Sequence, residues 1–305
     1  MTLGRRDFLR LGSLAAGSLA LDGNAAAPRA KDPSLAAFIS DLHVNGEKPT
    51  PVHQREYLSR CVRNILALDP LPAQVVCFGD ISHFWGYRSD YALAKMLLQP
   101  LVDAGLRLTL GMGNHDHREH FLEAWPGYAK SSPVAARIVS QVAFPHADLV
   151  MLDSLNSKPL VPNGEMYPGE IGKEQLDWLM ATLDRATRPV FLGTHHKPEE
   201  LGLVRHLLEK RAVAGFIHGH YHWWGGSICE SSGKGDRTLW KAGLPSTGAW
   251  GDIGFALFRV DARGAELVCR MEDFFYPAPL PPGKRPILWD GLRKARDGQK
   301  IRFSF

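Results

Sequence analysis

The sequence predicts an α/β fold with its chemistry gathered along strand ends, and three observations carry that prediction. Between residues 35 and 110, apolar runs of strand length alternate with amphipathic helical stretches, the pattern of a parallel sheet with helical crossovers. Five short apolar runs, 35–39, 75–78, 106–110, 190–192 and 213–217, are each followed by side chains able to bind metals or move protons. Open α/β sheets hold ligands at the carboxyl ends of their strands. Histidines used as scattered core filler would not gather past strand ends in this way. After Gly226 the chain turns to short β-like runs, which predict antiparallel strands forming a second sheet.

Taken in order, the chain opens with Arg5, Arg6, Asp7, Phe8, Leu9 and Arg10, then an uncharged stretch over 11–21, then Ala25, Ala26 and Ala27. A basic region, a short apolar region and an A-x-A-like site make the pattern of a cleaved export signal. The apolar part is too short to span a bilayer comfortably. The paired arginines followed by Phe8 and Leu9 resemble the twin-arginine signal, an address read by the twin-arginine translocation machinery. The resemblance implies a signal over 1–27 and export of an already folded chain. The mature protein is then periplasmic or secreted and carries no transmembrane anchor.

After Pro33 comes the first strand, and then a helix over 51–68 with Leu58, Cys61, Val62, Ile65 and Leu68 at helical spacing, stopped by Asp69-Pro70. The second strand leads to Gly79-Asp80. A loop with His83, Trp85, Tyr87 and Arg88 precedes a second helix carrying Leu93, Met96, Leu97 and Leu101. The third strand runs into Gly111-Met112-Gly113-Asn114-His115-Asp116. The stretch 121–140 reads as an excursion or lid, 148–152 as a strand, and 175–183 as a helix packing Leu176, Leu179 and Leu183. Runs at 238–242, 255–260 and 266–271 supply the antiparallel strands. A proline-rich break then separates a domain over 28–276 from a basic C-terminal extension over 277–305, whose bland reading is a solvated face.

A chain of 305 residues with 45% hydrophobic and 22% charged residues suits one globular domain after the signal. The net charge of +4 is too weak to argue for nucleic acid, so a nucleic-acid partner is not expected. Cys61, Cys77, Cys229 and Cys269 show no zinc-knuckle spacing. Three of them, Cys61, Cys77 and Cys269, fall on apolar faces as small core residues, and the pattern leaves a disulfide open.

The strand-end residues define the chemistry. Asp41 and His43, separated by one residue, project to the same side of an extended segment and can grip one ion together; His220 and His222 repeat that geometry. Carboxylate, imidazole and an Asn carbonyl without a thiolate suit iron, manganese, zinc or cobalt rather than copper(I) or an iron–sulfur cluster. Six or seven such ligands exceed the needs of one ion. They fit two ions, and two ions about 3.5–4 Å apart can clamp the attacking and leaving oxygens of phosphoryl transfer.

These motifs, D-x-H at Asp41/His43, G-D at Gly79/Asp80, G-N-H-D at 113–116, a lone His at His195 and G-H-x-H at 219–222, resemble in type and order those of the calcineurin-like metallophosphoesterases. The D-x-H form is similar to the bacterial cyclic-nucleotide and glycerophosphodiester phosphodiesterase branch. The resemblance implies an αββα sandwich, two mixed sheets flanked by helices. It implies one ion held by Asp41, His43, Asp80 and His222, and a second held by Asp80, Asn114, His195 and His220, with Asp80 bridging. The two divalent or mixed-valence ions, iron, manganese or zinc, would supply a metal-activated hydroxide that hydrolyses a small phosphate-ester substrate, diester or monoester. His115 would then lie beyond the metals, orienting the phosphate or protonating the leaving oxygen, with Asp116 fixing its tautomer. Purple acid phosphatases carry Tyr three residues after the bridging Asp. This chain has His83 there, which argues against a tyrosinate-coloured centre.

His83, His117, His196 and Trp223 are candidates for the substrate pocket, with Trp85, Arg88, Arg118 and Trp224 beside them, because loops next to the metal motifs form its walls. Ordinary packing is the competing role for each. His196 is the adjacent alternative to His195, and His218 reads as a strand-end hydrogen bonder. A non-catalytic metal-binding protein of the same fold, acting through a partner, is the second functional reading; no motif residue is lost to favour it. A metallo-β-lactamase-like hydrolase is disfavoured because an HxHxDH run is absent.

Overall fold

The computed structural model describes residues 29–47, 54–156, 169–229, 238–248, 251–272 and 295–305. The twin-arginine stretch and the proline-rich break lie outside them. Strand β1 (Lys31–Ile39) sets the layering. Ala36 and Phe38 point to one face and meet Val76, Phe78, Phe191, Ile217 and Phe258. Ala37 and Ile39 point to the other and meet Leu58, Val62, Ile65, Leu98 and Leu101. The period-2 alternation of a strand thus divides two cores. In the inner one, Phe258 stacks on Phe38 with ring centroids 4.8 Å apart and meets Phe191 edge-on at 4.9 Å. Each fully buried ring contributes about 1.5–3 kcal/mol.

The outer face of the first sheet is covered by α1 (Gln54–Leu66) and α2 (Arg88–Asp103). β2 (Leu71–Cys77) and β3 (Arg107–Leu110) continue that sheet in parallel, with Ile39 level with Cys77 and Cys77 level with Leu110. Three strands ending in register deliver their following residues side by side. The expectation of an excursion over 121–140 resolves into two short helices, α3 (Arg118–Ala124) and α4 (Gly127–Ser131).

The second sheet begins with β4 (Ser140–Ala143) and β5 (Asp148–Met151), an antiparallel pair. Helix α5 (Lys173–Asp184) leads to β6 (Val190–Thr194), and α6 (Val204–Leu208) to β7 (Val213–His218). Leu179, Leu183 and Leu207 of these helices cover the outer face of this sheet. β8 (Gly225–Ile228) and β9 (Trp240–Gly243) complete it in the order β4-β5-β6-β7-β9-β8. Two six-stranded mixed sheets with helices outside make an αββα sandwich.

Four expectations are corrected. The late β-runs do not build the second sheet by themselves: β9 pairs in parallel with β7, whereas β10 (Gly254–Val260) and β11 (Gly264–Met271) extend the first sheet antiparallel from β1. The first sheet's edge at β1 is open to them because β2 occupies only the other side. The C-terminal extension is not a solvated tail throughout, since β12 (Lys300–Ser304) pairs with β11 and buries Ile301 and Phe303. The boundary at 276 therefore does not end the domain. Helix α2 buries Tyr91, Ala94, Leu98 and Leu101 rather than the stripe through Met96, which is 63% exposed. Tyr91 carries hydrogen bonds described below, and these fix the helix's rotation. The four cysteines are buried and free.

Candidate metal centre

The motif residues converge because their strands end level and their backbones interlock. His43 N–H donates to the Asp80 carbonyl at 2.9 Å, Asp41 N–H to the Gly79 carbonyl at 3.0 Å, and His220 N–H to the Asp41 carboxylate at 3.1 Å. The glycines between them serve close approach. A Cβ on Gly113 would lie 2.2 Å from Asp80 Oδ1, and one on Gly219 2.8 Å from Asp41 Oδ2. Asp41, His43, Asp80, His220 and His222 all hold φ between 46° and 71°. Left-handed backbone at a non-glycine residue costs of order 1 kcal/mol or more and persists at sites where the surroundings impose it. Five of seven expected ligands share it.

Three groups of ligand atoms result: Asp41, His43 and His222; His43, Asp80 and His115; and Asp80, His195 and His220. His43 Nε2 lies 3.2 Å from His222 Nε2, which is 3.2 Å from Asp41 Oδ1. On the other side His195 Nε2 lies 3.1 Å from Asp80 Oδ2, 3.0 Å from Asn114 Oδ1 and 3.2 Å from His220 Nδ1. Asp80 Oδ2 is also 3.8 Å from His43 Nε2, so one carboxylate reaches both sides.

The donor set fits cations. Ligands about 2.0–2.2 Å from one ion stand roughly 3 Å apart, the spacing found here. The hydrogen-bond chemistry points the same way. His195 Nδ1 donates to the Phe78 carbonyl at 2.9 Å, and His43 Nδ1 faces the His83 carbonyl at 3.3 Å. Both imidazoles therefore turn Nε2 inward, as metal-bound histidines do. His195 Nε2 then faces a carboxylate, an amide oxygen and another ring nitrogen, an arrangement that a positive charge among them reconciles.

Electrostatics agree. Burial disfavours charge on His195, but the Asp80 and Asp41 carboxylates outweigh it and raise the imidazole to about 9. Burial, with His222 and His115 nearby, holds His43 down to about 3, and burial together with His195 holds His220 to about 4. Burial opposes ionisation of Asp41 and Asp80, yet His222 keeps Asp41, and His195 keeps Asp80, well below the ordinary carboxylate range. Against burial, the Asp41 carboxylate likewise raises His222, so anionic carboxylates stand beside neutral His43 and His220, while His195 and His222 would give up a proton on binding metal.

His115 is nearer than the sequence implied. Its Nε2 lies 3.9 Å from Asp80 Oδ2 in the same cluster as His43, and its Nδ1 faces the Phe84 carbonyl at 3.3 Å. Asp116 does not touch it. The Asp116 carboxylate accepts from Ile81 N, Ser82 N, Gly113 N and Tyr91 Oη, 2.9–3.3 Å away, and so ties three loops beneath the centre. The expected tautomer-fixing role falls to the Phe84 carbonyl instead.

Of the substrate candidates, His83 contributes its backbone carbonyl to His43 and its ring to Gln54 Nε2 at 3.3 Å. His196 is buried beside the centre, its ring 4.7 Å from His220 and its Nδ1 2.9 Å from Ser154 Oγ. His117 stacks on His120 at 4.1 Å, away from the ligand clusters. Trp223, 41% exposed, lies under the Arg296 guanidinium at 5.3 Å. Sequence reasoning missed Ser246, whose Oγ donates to the Asp41 carbonyl at 2.9 Å, and Asp252, whose amide donates to the His222 carbonyl at 2.7 Å. Neither sits in a motif; each reaches the site only through the fold.

Residues 35–224 match the calcineurin-like phosphoesterase family, and the chain belongs to it. It is 34% identical over 170 residues to a probable cyclic nucleotide phosphodiesterase of Rhodopseudomonas palustris, a match covering 54% of this chain and 58% of that protein. The chain thus spans somewhat more than half of that relative's length. Among solved structures, a dimetal phosphatase from Danio rerio is similar at a TM-score of 0.59 and 17% identity, over 79% of this chain and 97% of that one. PhoD is similar at 0.55 and 13%, over 83% and 69%. At these identities the two structures bear on fold alone.

Proposed function

We propose that this protein is a metal-dependent phosphoric ester hydrolase with two metal ions. One is held by Asp41, His43, Asp80 and His222, the other by Asp80, Asn114, His195 and His220. The observation that carries the proposal is the inward-facing set of acceptors around His195 Nε2, mirrored at His43 and joined through Asp80. When bound, the ions, iron, manganese or zinc by donor type, would supply a water activated for attack near neutral pH and offset the phosphate's charge. The chain's own contribution is at the leaving oxygen. His115, with its Nδ1 proton held on the Phe84 carbonyl, gives its Nε2 proton to that oxygen as the bond breaks. The relative named as a probable cyclic nucleotide phosphodiesterase supports a diester substrate. The arginine pair and apolar stretch of residues 1–27 support export by the twin-arginine route to the periplasm or beyond. Among the described residues no helix is long and apolar enough to cross a membrane.

The test is a screen of the purified mature protein against monoesters, diesters and cyclic esters, with elemental analysis of the same preparation. Hydrolysis that tracks metal content supports the reading; bound metal with no turnover of any ester would favour a non-catalytic metal-binding role.

A further inference from the structure

Tyr221 stands between two expected ligands, and its ring leaves toward Lys197 and Glu200 while His220 and His222 face Asp80 and Asp41. It is 37% exposed and touches no ion position. Its surroundings are nevertheless specific. Lys197 Nζ lies 3.4 Å from the centroid of the Tyr221 ring, over its face, and the Tyr221 hydroxyl donates to Glu200. Glu200 also accepts from Lys197 N–H at 3.1 Å, which closes the turn that follows His195 and His196. One aromatic side chain is thus gripped twice by a single turn, by a cation on its face and by a carboxylate at its hydroxyl.

The two loops that meet here carry ligands of the same ion. Inside the centre, His195 Nε2 and His220 Nδ1 stand 3.2 Å apart. Outside it, the loops meet again at Tyr221. The backbone in between is strained, with His220 at φ 71° and Tyr221 N–H turned back onto the Gly219 carbonyl at 2.9 Å. A left-handed non-glycine residue persists where neighbours impose it. The Tyr221 ring meets the His220 ring edge-on at 5.0 Å, so holding Tyr221 also limits where the imidazole can swing. His222 has a separate support, since its carbonyl accepts from Asp252 N–H at 2.7 Å on the C-terminal side.

We infer that Tyr221, clamped by Lys197 and Glu200, is a positioning residue for the second ion: it ties the loop of His220 to the loop of His195 and sets that ion's affinity apart from that of the first. This rests on the two-ion reading above. Aromatic faces attract ammonium groups through their quadrupole, and the partly exposed pair gains at the modest end of that range. Because Asp41 and His43 come from the other sheet and His222 is anchored by Asp252, losing the clamp leaves the first ion's ligands in place.

The experiment titrates the metal-free full chain with manganese(II), the step lost in His195→Ala marking the second site. Lys197→Met and Glu200→Ala should each weaken that step by roughly threefold to tenfold and leave the first within about twofold. Lys197→Arg, which keeps a cation over the ring, should restore most of the loss. Hydrogen exchange of the same metal-free chains gives a second readout: residues 219–222 should exchange faster in Lys197→Met than in the parent, with residues 41–44 unchanged. Two manganese steps unaltered in both variants, or weakened equally, would overturn the inference. A parent chain that binds no manganese would sink the two-ion reading instead; exchange then decides the clamp by itself, and residues 219–222 no faster in Lys197→Met would overturn it.

Discussion

The Phe84 carbonyl oxygen stands 3.3 Å from His115 Nδ1, on the side of the imidazole away from Asp80. A backbone carbonyl in that position holds one ring proton and leaves Nε2 as the only exchangeable site facing the centre. His115→Ala should therefore retain both metals and lower kcat by roughly 10²–10⁴. The loss should be smaller for a nitrophenolate leaving group than for an alkoxide, which needs protonation. An equal loss on both would make His115 an orienting residue, and full activity would remove it from the mechanism.

Asp116 carries a different expectation. Its carboxylate takes hydrogen bonds from three backbone amides and the Tyr91 hydroxyl in a buried pocket. Tyr91→Phe removes one donor, and because the same hydroxyl also accepts from His117 N–H it leaves that amide unpaired. Thermal unfolding should show a loss of about 1–3 kcal/mol with the leaving-group dependence of kcat unchanged. A variant as stable as the parent would show that these bonds are replaced by water.

Much of this was legible in residues. Alternation of strand and helix gave the parallel half of the first sheet, and motif order gave every residue of the ligand clusters, because ligands must follow strand ends where the backbone is free to turn. What stayed hidden depends on contacts distant in sequence. Ser246 and Asp252 act on Asp41 and His222 through backbone groups more than 25 residues away, and hydrogen bonds to backbone leave no side-chain signature. Asp116 departs from its expected role for a related reason. Adjacency to His115 suggests a pair, but Asp116 is taken up by Ile81, Ser82, Gly113 and Tyr91 while His115 faces Phe84 and Asp80.

The position of Asp80 between the clusters makes a test of the two-ion arrangement. Asp80→Ala should abolish hydrolysis and lower the content of both ions, whereas His43→Ala should mainly deplete the ion shared with Asp41 and His222. Elemental analysis of each variant decides it. Unchanged metal content in Asp80→Ala would sink the assignment.

The proposed export rests on the paired arginines Arg5 and Arg6. Arg5→Lys combined with Arg6→Lys should leave the protein in the cytoplasm with its signal uncleaved and its specific activity unaltered. Cell fractionation reads the result. Undiminished export would point to general secretion.

The C-terminal segment offers the last test, because it reaches the metal ligands through one buried carboxylate. Asp252 is wholly buried; its Oδ2 accepts from Trp224 N–H at 2.8 Å and from the Arg296 guanidinium, while its own amide holds the His222 carbonyl. Arg296 also lies over Trp223, and Gln299 accepts from the Trp224 indole N–H at 3.2 Å. Residues 222–224 are thus fixed from a segment some 70 positions later in the chain. Arg296→Ala removes the countercharge from a carboxylate that has nowhere to move. Since Arg296 is itself partly solvated, the cost should be about 1–3 kcal/mol rather than that of a fully buried pair. The loss should fall on the ion held by His222, lowering its affinity more than that of the ion held by His195 and His220. Arg296→Lys should restore part of it, because the charge returns without the planar stack on Trp223. Metal titration of the two variants against the parent measures this directly. Equal affinity for both ions in Arg296→Ala would mean that β12 alone, without the Asp252 pair, holds the ligand loop in place.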